Sequence, residues 1–259
     1  MRSVIAIGLC VLLGVALVVF VVACGRGEAG GGSAPAADAV PTGHDAHAGE
    51  AHDGAPADHA TAQHSFNDPE KWAKIFDDPS RDGWQKPVQV VAALGIKGGM
   101  MVADLGAGTG YFTAALSRAA GPKGIVLGID PEPEMVQYLG RRAHREGLAN
   151  VVPVLALYED PFLPPGRVDR VLIVDTYHHI EERQQYFHRL GADLAPGGTV
   201  AVVDFHKRPL PVGPPPEAKL DREVVVAEMQ KAGFRLKEEP TFLPYQYFLI
   251  FEPTERSAP

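Results

Sequence analysis

Beyond residue 24 the chain has no cysteine; its only two, Cys10 and Cys24, lie close to the N-terminus. The remainder can form no disulfide and offers no thiol, which excludes chemistry run through protein thiolates and leaves its redox compartment unmarked. Residues 25–65 lack every aromatic residue and also Leu, Ile and Met, and consist mostly of Gly, Ala, Pro, Asp and His. Such a segment cannot bury enough apolar area to offset the entropy of ordering, so it is expected to be a disordered tether. Val4 to Ala23 lack any charge, with Arg2 before them and Arg26 after. An excess of basic residues is missing as well. Two basic and six acidic residues precede residue 66, which leaves 22 basic against 26 acidic in the rest. With no basic stripe, a nucleic-acid backbone is not an expected partner.

What is present divides the chain. The uncharged run reads as a secretory signal or membrane anchor. Val21-Val22-Ala23-Cys24-Gly25 resembles a bacterial lipobox, which implies lipidation of Cys24, a membrane partner and an extracytoplasmic address. An uncleaved helix with an incidental Cys24 is the alternative. In the tether, His44, His47, His52, His59 and His64 alternate with acids, a composition suited to weak capture of Zn²⁺, Cu²⁺ or Ni²⁺. Without fixed geometry it reads first as a soluble linker. The expected segments are a leader at 1–24, a tether at 25–65, a helical region at 66–98, a main domain at 99–253 and a tail at 254–259.

The main domain alternates strand and helix, the pattern of a doubly wound α/β sheet. Strands are expected at 100–105, 124–130, 151–156, 168–174, 199–204, 234–239 and 242–251. Helices are expected at 111–120, 132–146, 180–193 and 221–232, with Ala195-Pro196-Gly197-Gly198 as the turn between the third of these helices and the fifth strand. In the helical region, Trp72, Phe76 and Trp84 read first as anchors that dock the segment on the core. The alternative is a lid, with Trp84 or Gln85 touching a ligand.

The most specific signal is Asp104-Leu105-Gly106-Ala107-Gly108-Thr109-Gly110, in which a buried strand breaks into glycines on alternate residues before a helix. Glycines there let the chain turn sharply and let a ligand approach the backbone. A dinucleotide fingerprint needs Gly or Ala three residues after its second Gly. That position is Tyr111, which weakens an NAD-dependent reading. Asp104 suits an ammonium group better than a pyrophosphate.

The pattern resembles motif I of the class I S-adenosylmethionine-dependent methyltransferases, and the resemblance runs from about residue 84 to 252. It implies a seven-stranded sheet, mostly parallel with one antiparallel strand near the C-terminus, and S-adenosylmethionine as cofactor. It further implies that Asp130, 20 residues after Gly110, receives the ribose hydroxyls, and that Asp160, or else Glu159, receives the adenine amino group. Asp175 at the end of strand four then lines the methionine end. The next residues, Thr176-Tyr177-His178-His179, resemble the His-His segment of the quinone-biosynthesis and small-molecule branches. A histidine there can take a proton from an acceptor hydroxyl or acidic carbon. His178 and His179 are the candidate catalytic residues, with His178 facing the site and His179 turned toward the core. Asp204 and His206 are further candidates. Tyr245, Tyr247 and Phe248 read first as strand packing, with an acceptor pocket as the alternative.

The expected function is methyl transfer to a small-molecule acceptor. The competing expectation is a tethered, non-catalytic nucleoside-binding module, since a leader that points outward separates the protein from cytoplasmic S-adenosylmethionine. A cytoplasmic address requires another start, and no Met lies between Met1 and Met100.

Overall fold

A computed structural model describes residues 68–254. The leader, Cys24 and the tether histidines lie outside the described residues.

Strands and helices alternate as the apolar runs dictate. The order is α1 (Pro69–Phe76), α2 (Arg81–Gln85), α3 (Pro87–Ala93), β1 (Met101–Leu105), α4 (Thr113–Ala120), β2 (Ile125–Asp130), α5 (Pro133–Arg145), β3 (Val151–Leu155), β4 (Val168–Val174), α6 (Arg183–Leu190), β5 (Leu194–Phe205), α7 (Arg222–Lys231), β6 (Phe234–Glu238) and β7 (Gln246–Pro253). The seven strands form one sheet in the order β3-β2-β1-β4-β5-β7-β6. β1 to β5 are mutually parallel, and β7 runs antiparallel to both β5 and β6. This is the expected mixed α/β sheet.

The two faces of the sheet bury separate cores. One gathers Val168, Ile173, Tyr177, Phe187, Val202, Met229 and Tyr247; the other gathers Val90, Leu116, Val126, Leu172, Ala201 and Phe248. α5 shows why such segments become helices. Pro133 opens it, Glu134 lies in the first turn, Arg142, His144 and Arg145 lie in the last, and Met135, Tyr138, Leu139 and Ala143 form its buried stripe.

Three boundaries depart from expectation. The helix expected to open at Ile180 starts at Arg183, because Ile180 is extended and Glu182 adopts a left-handed conformation (φ 44°). The expected turn at Ala195–Gly198 is instead an irregularity inside β5. Val168 pairs with Leu194, and regular pairing resumes at Arg170 and Thr199. The last hairpin is more open than expected, since Pro240 and Pro244, with no N–H to give, stand between β6 and the start of β7 at Gln246.

Strand order reverses between β1 and β4, whose neighbours β2 and β5 lead away in opposite directions. Ligands of open α/β sheets bind beyond the carboxyl ends of the strands at such a crevice. Gly106–Gly110 follows β1 and Asp175–His179 follows β4, so both segments open onto it.

Candidate functional site

The glycine turn is held by its own backbone and by β2. Gly106 and Ala107 both donate to the Ile129 carbonyl at 2.9 Å, and Gly110 donates to the Ala107 carbonyl at 2.8 Å. Gly106, Gly108 and Gly110 have φ of 75°, 53° and 89°, all in the left-handed region. Gly106 is also a close approach: a Cβ there would lie 2.3 Å from Thr176 Oγ1, across the switch point. At Gly110 a Cβ would lie 2.5 Å from Leu139 of α5. At Gly108 a Cβ would meet nothing nearer than Phe76, at 3.7 Å, so in this cradle of three glycines close packing is what demands the outer two.

Carboxylates surround the cradle. Asp104 is 4% exposed and accepts a hydrogen bond from Thr113 Oγ1 at 2.5 Å. Burial pushes its carboxyl up to about 7, against the opposing effect of that hydroxyl. Asp130 is 7% exposed and bridges two turns, taking the Gly108 N–H on Oδ2 at 2.8 Å and the Glu132 N–H on Oδ1 at 3.0 Å. Burial pushes it up to about 6 although both N–H groups favour the anion. Asp175 adopts φ 53°, strained for a residue with a Cβ. Its carboxylate sits between two glutamines, taking Gln85 Nε2 at 3.0 Å and Gln246 Nε2 at 2.6 Å, with Arg81 at 3.7 Å. Burial and then the charge of Asp204 raise its pKa.

Asp160 lies in the loop after β3. Its Oδ1 accepts the Phe162 N–H at 2.8 Å, and its carbonyl accepts the Leu157 N–H at 3.0 Å. Leu157, Tyr158 and Phe162 are exposed beside it. Arg189 donates to the backbone carbonyl of Glu159 at 2.7 Å. Thr109 Oγ1 donates to Asp77 at 3.1 Å.

Tyr177–His179 forms a 3-10 turn. His178 Nδ1 meets Asp204 Oδ2 at 2.8 Å, and Asp204, fully buried, also accepts the Phe205 N–H on Oδ1 at 2.8 Å. A carboxylate only accepts, so it places the proton on Nδ1 and leaves Nε2 as the basic nitrogen. Burial lowers the imidazole pKa, but the hydrogen bond and charge of Asp204 outweigh it, and the net direction is upward. His179 does not turn toward the core: it is exposed, with its ring centroid 4.1 Å from that of His178. The His178 side chain is largely buried beside it, only 10% exposed. His206 stands with its ring 5.9 Å from Tyr247.

The N-terminal helices do more than dock on the core, because they cover the cradle. Asp77 also receives Arg142 at 2.8 Å, and Tyr111 donates to Asp82 at 2.5 Å. The Arg81 guanidinium lies 4.7 Å above the Tyr111 ring and donates to the Phe76 carbonyl at 2.6 Å and to Gln85. Gln85 itself is fully buried. The structure thus adds Asp77, Arg81, Thr113, Arg142 and Gln246 to the residues read from sequence. A threonine in the first turn of the helix after motif I was the one signal available for Thr113.

Among the described residues, no helix is long and apolar enough to cross a membrane, and no group of three His, Cys, Asp or Glu is placed to hold a metal.

A family profile described as a methyltransferase domain matches residues 102–198. The chain is 31% identical over 184 residues to the tRNA (guanine-N(7)-)-methyltransferase of Thermus thermophilus, covering 56% of this chain and 57% of that protein. It is 32% identical over 114 residues to a ubiquinone/menaquinone biosynthesis C-methyltransferase of Pasteurella multocida, covering 44% and 42% respectively. The chain spans about half the length of these curated relatives. The crystal structure of a SAM dependent methyltransferase from Aquifex aeolicus is 32% identical, with a TM-score of 0.67 over 71% of this chain and 97% of that one.

Proposed function

The chain belongs to the S-adenosylmethionine-dependent methyltransferases, and on that premise we propose that it transfers a methyl group from S-adenosylmethionine to a small-molecule acceptor that loses a proton. One observation carries the reading: a glycine turn at the switch point, with two buried carboxyls beside it, Asp104 and Asp130, that have no ion-pair partner among the described residues. An ammonium group and a ribose diol are the partners such carboxylates suit. Asp130 would take the ribose hydroxyls, and Asp160 with its exposed apolar neighbours the adenine. Asp104 and Asp175 would take the ammonium end, and Arg81 the carboxylate. Gly106, Ala107, Gly108, Thr109 and Gly110 would give the backbone surface against which the ligand lies.

When bound, S-adenosylmethionine supplies an electrophilic methyl on a sulfonium sulfur. The protein's part is to hold the acceptor in line and to receive its proton. His178 Nε2 would take that proton, and Asp204, bonded to Nδ1, would stabilise the imidazolium that results. A module that only bound nucleosides would have no use for a histidine oriented by a buried aspartate, so catalysis is the better reading.

Calorimetry of the purified chain with S-adenosylhomocysteine tests the premise, and no detectable heat of binding would overturn it. The base assignment makes a further prediction. A general base works unprotonated, so turnover should rise with pH through a pKa above the ordinary histidine value of 6.5, the direction in which Asp204 moves His178. His178→Ala should lower kcat about 10²- to 10⁴-fold. Asp204→Asn should shift the rising limb to lower pH while reducing its plateau. An unmoved limb would remove Asp204 from the mechanism.

We propose further that Cys24 is lipidated and holds the domain at the extracytoplasmic membrane face, with the tether histidines capturing divalent metal weakly. Support comes from the uncharged run Val4–Ala23 and the small residues on either side of Cys24. Palmitate labelling should be lost in Cys24→Ala; labelling that persists would exclude this attachment.

A further inference from the structure

The segment that carries His178 and His179 runs between two left-handed residues that are not glycine, Asp175 at φ 53° and Glu182 at φ 44°. Such backbone is costly and persists only where its surroundings over-determine it. Within the segment, the His179 N–H donates to the Thr176 carbonyl at 2.9 Å and the Ile180 N–H to the Tyr177 carbonyl at 3.2 Å. Side chains supply the rest of the hold, and they converge on one carboxylate.

That carboxylate is Glu228, on α7. Tyr177, fully buried, stacks on Phe187 of α6 at 5.1 Å and donates its hydroxyl to Glu228 Oε2 at 3.0 Å. Arg183, the first residue of α6, forks onto the same group, with Nε on Oε2 at 2.7 Å and Nη2 on Oε1 at 3.0 Å. Its Nη1 donates to the Ile180 carbonyl at 3.0 Å. Tyr177 precedes His178 and Ile180 follows His179, so Glu228 grips the turn on both sides of the two histidines. The middle is gripped separately, by Asp204 on His178 Nδ1. The side chains of Arg183 and Glu228 are 23% and 17% exposed, and a charge pair within reach of water adds little stability. What the bidentate fork supplies is fixed geometry.

We propose that Glu228 is a positioning residue for His178: through Tyr177 and Arg183 it sets the turn so that the imidazole meets Asp204 with Nδ1 and keeps Nε2 for the acceptor's proton. This rests on the reading of His178 as the base, but it concerns how the imidazole is held and is measured without turnover. Among the described residues, the charged and titratable groups that face His178 are Asp204 on β5, Asp175 after β4, Arg183 on α6 and His179 beside it. Tyr247 of β7 stands across from Asp204. Tyr177→Phe and Arg183→Lys leave all of these charges in place and break only the grip.

The test is heteronuclear NMR of the histidine rings in the full chain, with the His178 signals assigned by their loss in His178→Gln. In the parent, His178 should carry its proton on Nδ1 and titrate above the ordinary 6.5. Tyr177→Phe and Arg183→Lys should each mix the two neutral tautomers and lower the midpoint by at least about half a pH unit, as the bond to Asp204 loosens. Glu228→Leu, which loses both grips, should lower it further, and Glu228→Gln, which keeps an acceptor for Tyr177, should fall between. A pure packing role gives a different result: a lower Tm in the variants, with the tautomer and midpoint of His178 those of the parent. That result, or a parent His178 that already mixes its tautomers, would overturn the proposal. Should Glu228→Leu fail to fold, Tyr177→Phe and Arg183→Lys decide alone, since one keeps the stacked ring and the other the charge. Turnover that survives His178→Ala is a separate result: it strikes the reading of His178 as the base, and the spectra still decide how the imidazole is held.

Discussion

Asp130→Ala should reduce S-adenosylhomocysteine affinity at least about 100-fold, close to 3 kcal/mol, in a calorimetric titration. The size follows from what the carboxylate holds. One oxygen takes the Gly108 N–H and the other the Glu132 N–H, so a single side chain ties the turn after β1 to the turn after β2. Hydrogen bonds to charged groups are each worth about 1.5–3 kcal/mol. Alanine removes both, frees the middle glycine of the cradle and takes away the acceptor proposed for the ribose hydroxyls. Asp130→Asn keeps one acceptor oxygen but turns a donor toward one of the two N–H groups, so it should fall between wild type and alanine. An alanine variant with the parent's Kd would show that the cradle is not where the cofactor binds.

Why Asp130 could be found from sequence and Gln246 could not is a matter of contact range. Motif I is local: strand, glycines and helix follow one another within twenty residues, and the backbone bonds of Gly106 and Ala107 to Ile129 place Asp130 beside them. The sheet was legible for the same reason, since each parallel strand carries its own apolar run and each crossover its own amphipathic helix. The His178–Asp204 pair spans 26 residues and depends on the β4–β5 register, in which an irregularity between Val168 and Arg170 shifts the pairing. The clamp on Asp175 is more distant still. Gln85 lies 90 residues before it and Gln246 lies 71 after. No periodicity marks either glutamine, and Gln246 becomes the first residue of β7 only because Pro240 and Pro244 delay the strand. His179 was misread through local geometry, because an α-helical start was expected where a 3-10 turn stands. The covering role of α1 and α2 rests on Asp77, Arg81 and Asp82, charged residues that by composition alone belong to a solvated surface.

Without its ligand, the chain should be more stable at pH 5 than at pH 8. Asp104 and Asp130 have native pKa values of about 7 and about 6 against an ordinary 3.8, in both cases chiefly through burial. Burial raises Asp175 as well, reinforced by Asp204. A carboxyl raised on folding binds its proton more tightly in the native state. Its stabilising contribution is therefore complete below the unfolded pKa and is lost as pH climbs through the native one. His178, also raised, has the same sign, and loses its contribution as pH rises through its native pKa. His206, lowered by burial, runs the other way but is a single half-buried group. Each pKa unit corresponds to about 1.4 kcal/mol, so the sum is on the order of several kcal/mol between pH 4 and 8. Urea midpoints at fixed ionic strength should fall across that range, and Asp104→Asn should flatten the fall while weakening S-adenosylmethionine binding. Ligand should reverse the trend. An ammonium group beside Asp104 and Asp175 favours their ionised forms, so S-adenosylmethionine should raise Tm more at pH 8 than at pH 5. A midpoint that holds steady or climbs from pH 5 to pH 8 would mean that these carboxylates meet their cation within the protein itself, and the case for an ammonium-bearing ligand at the switch point would lose its physical basis.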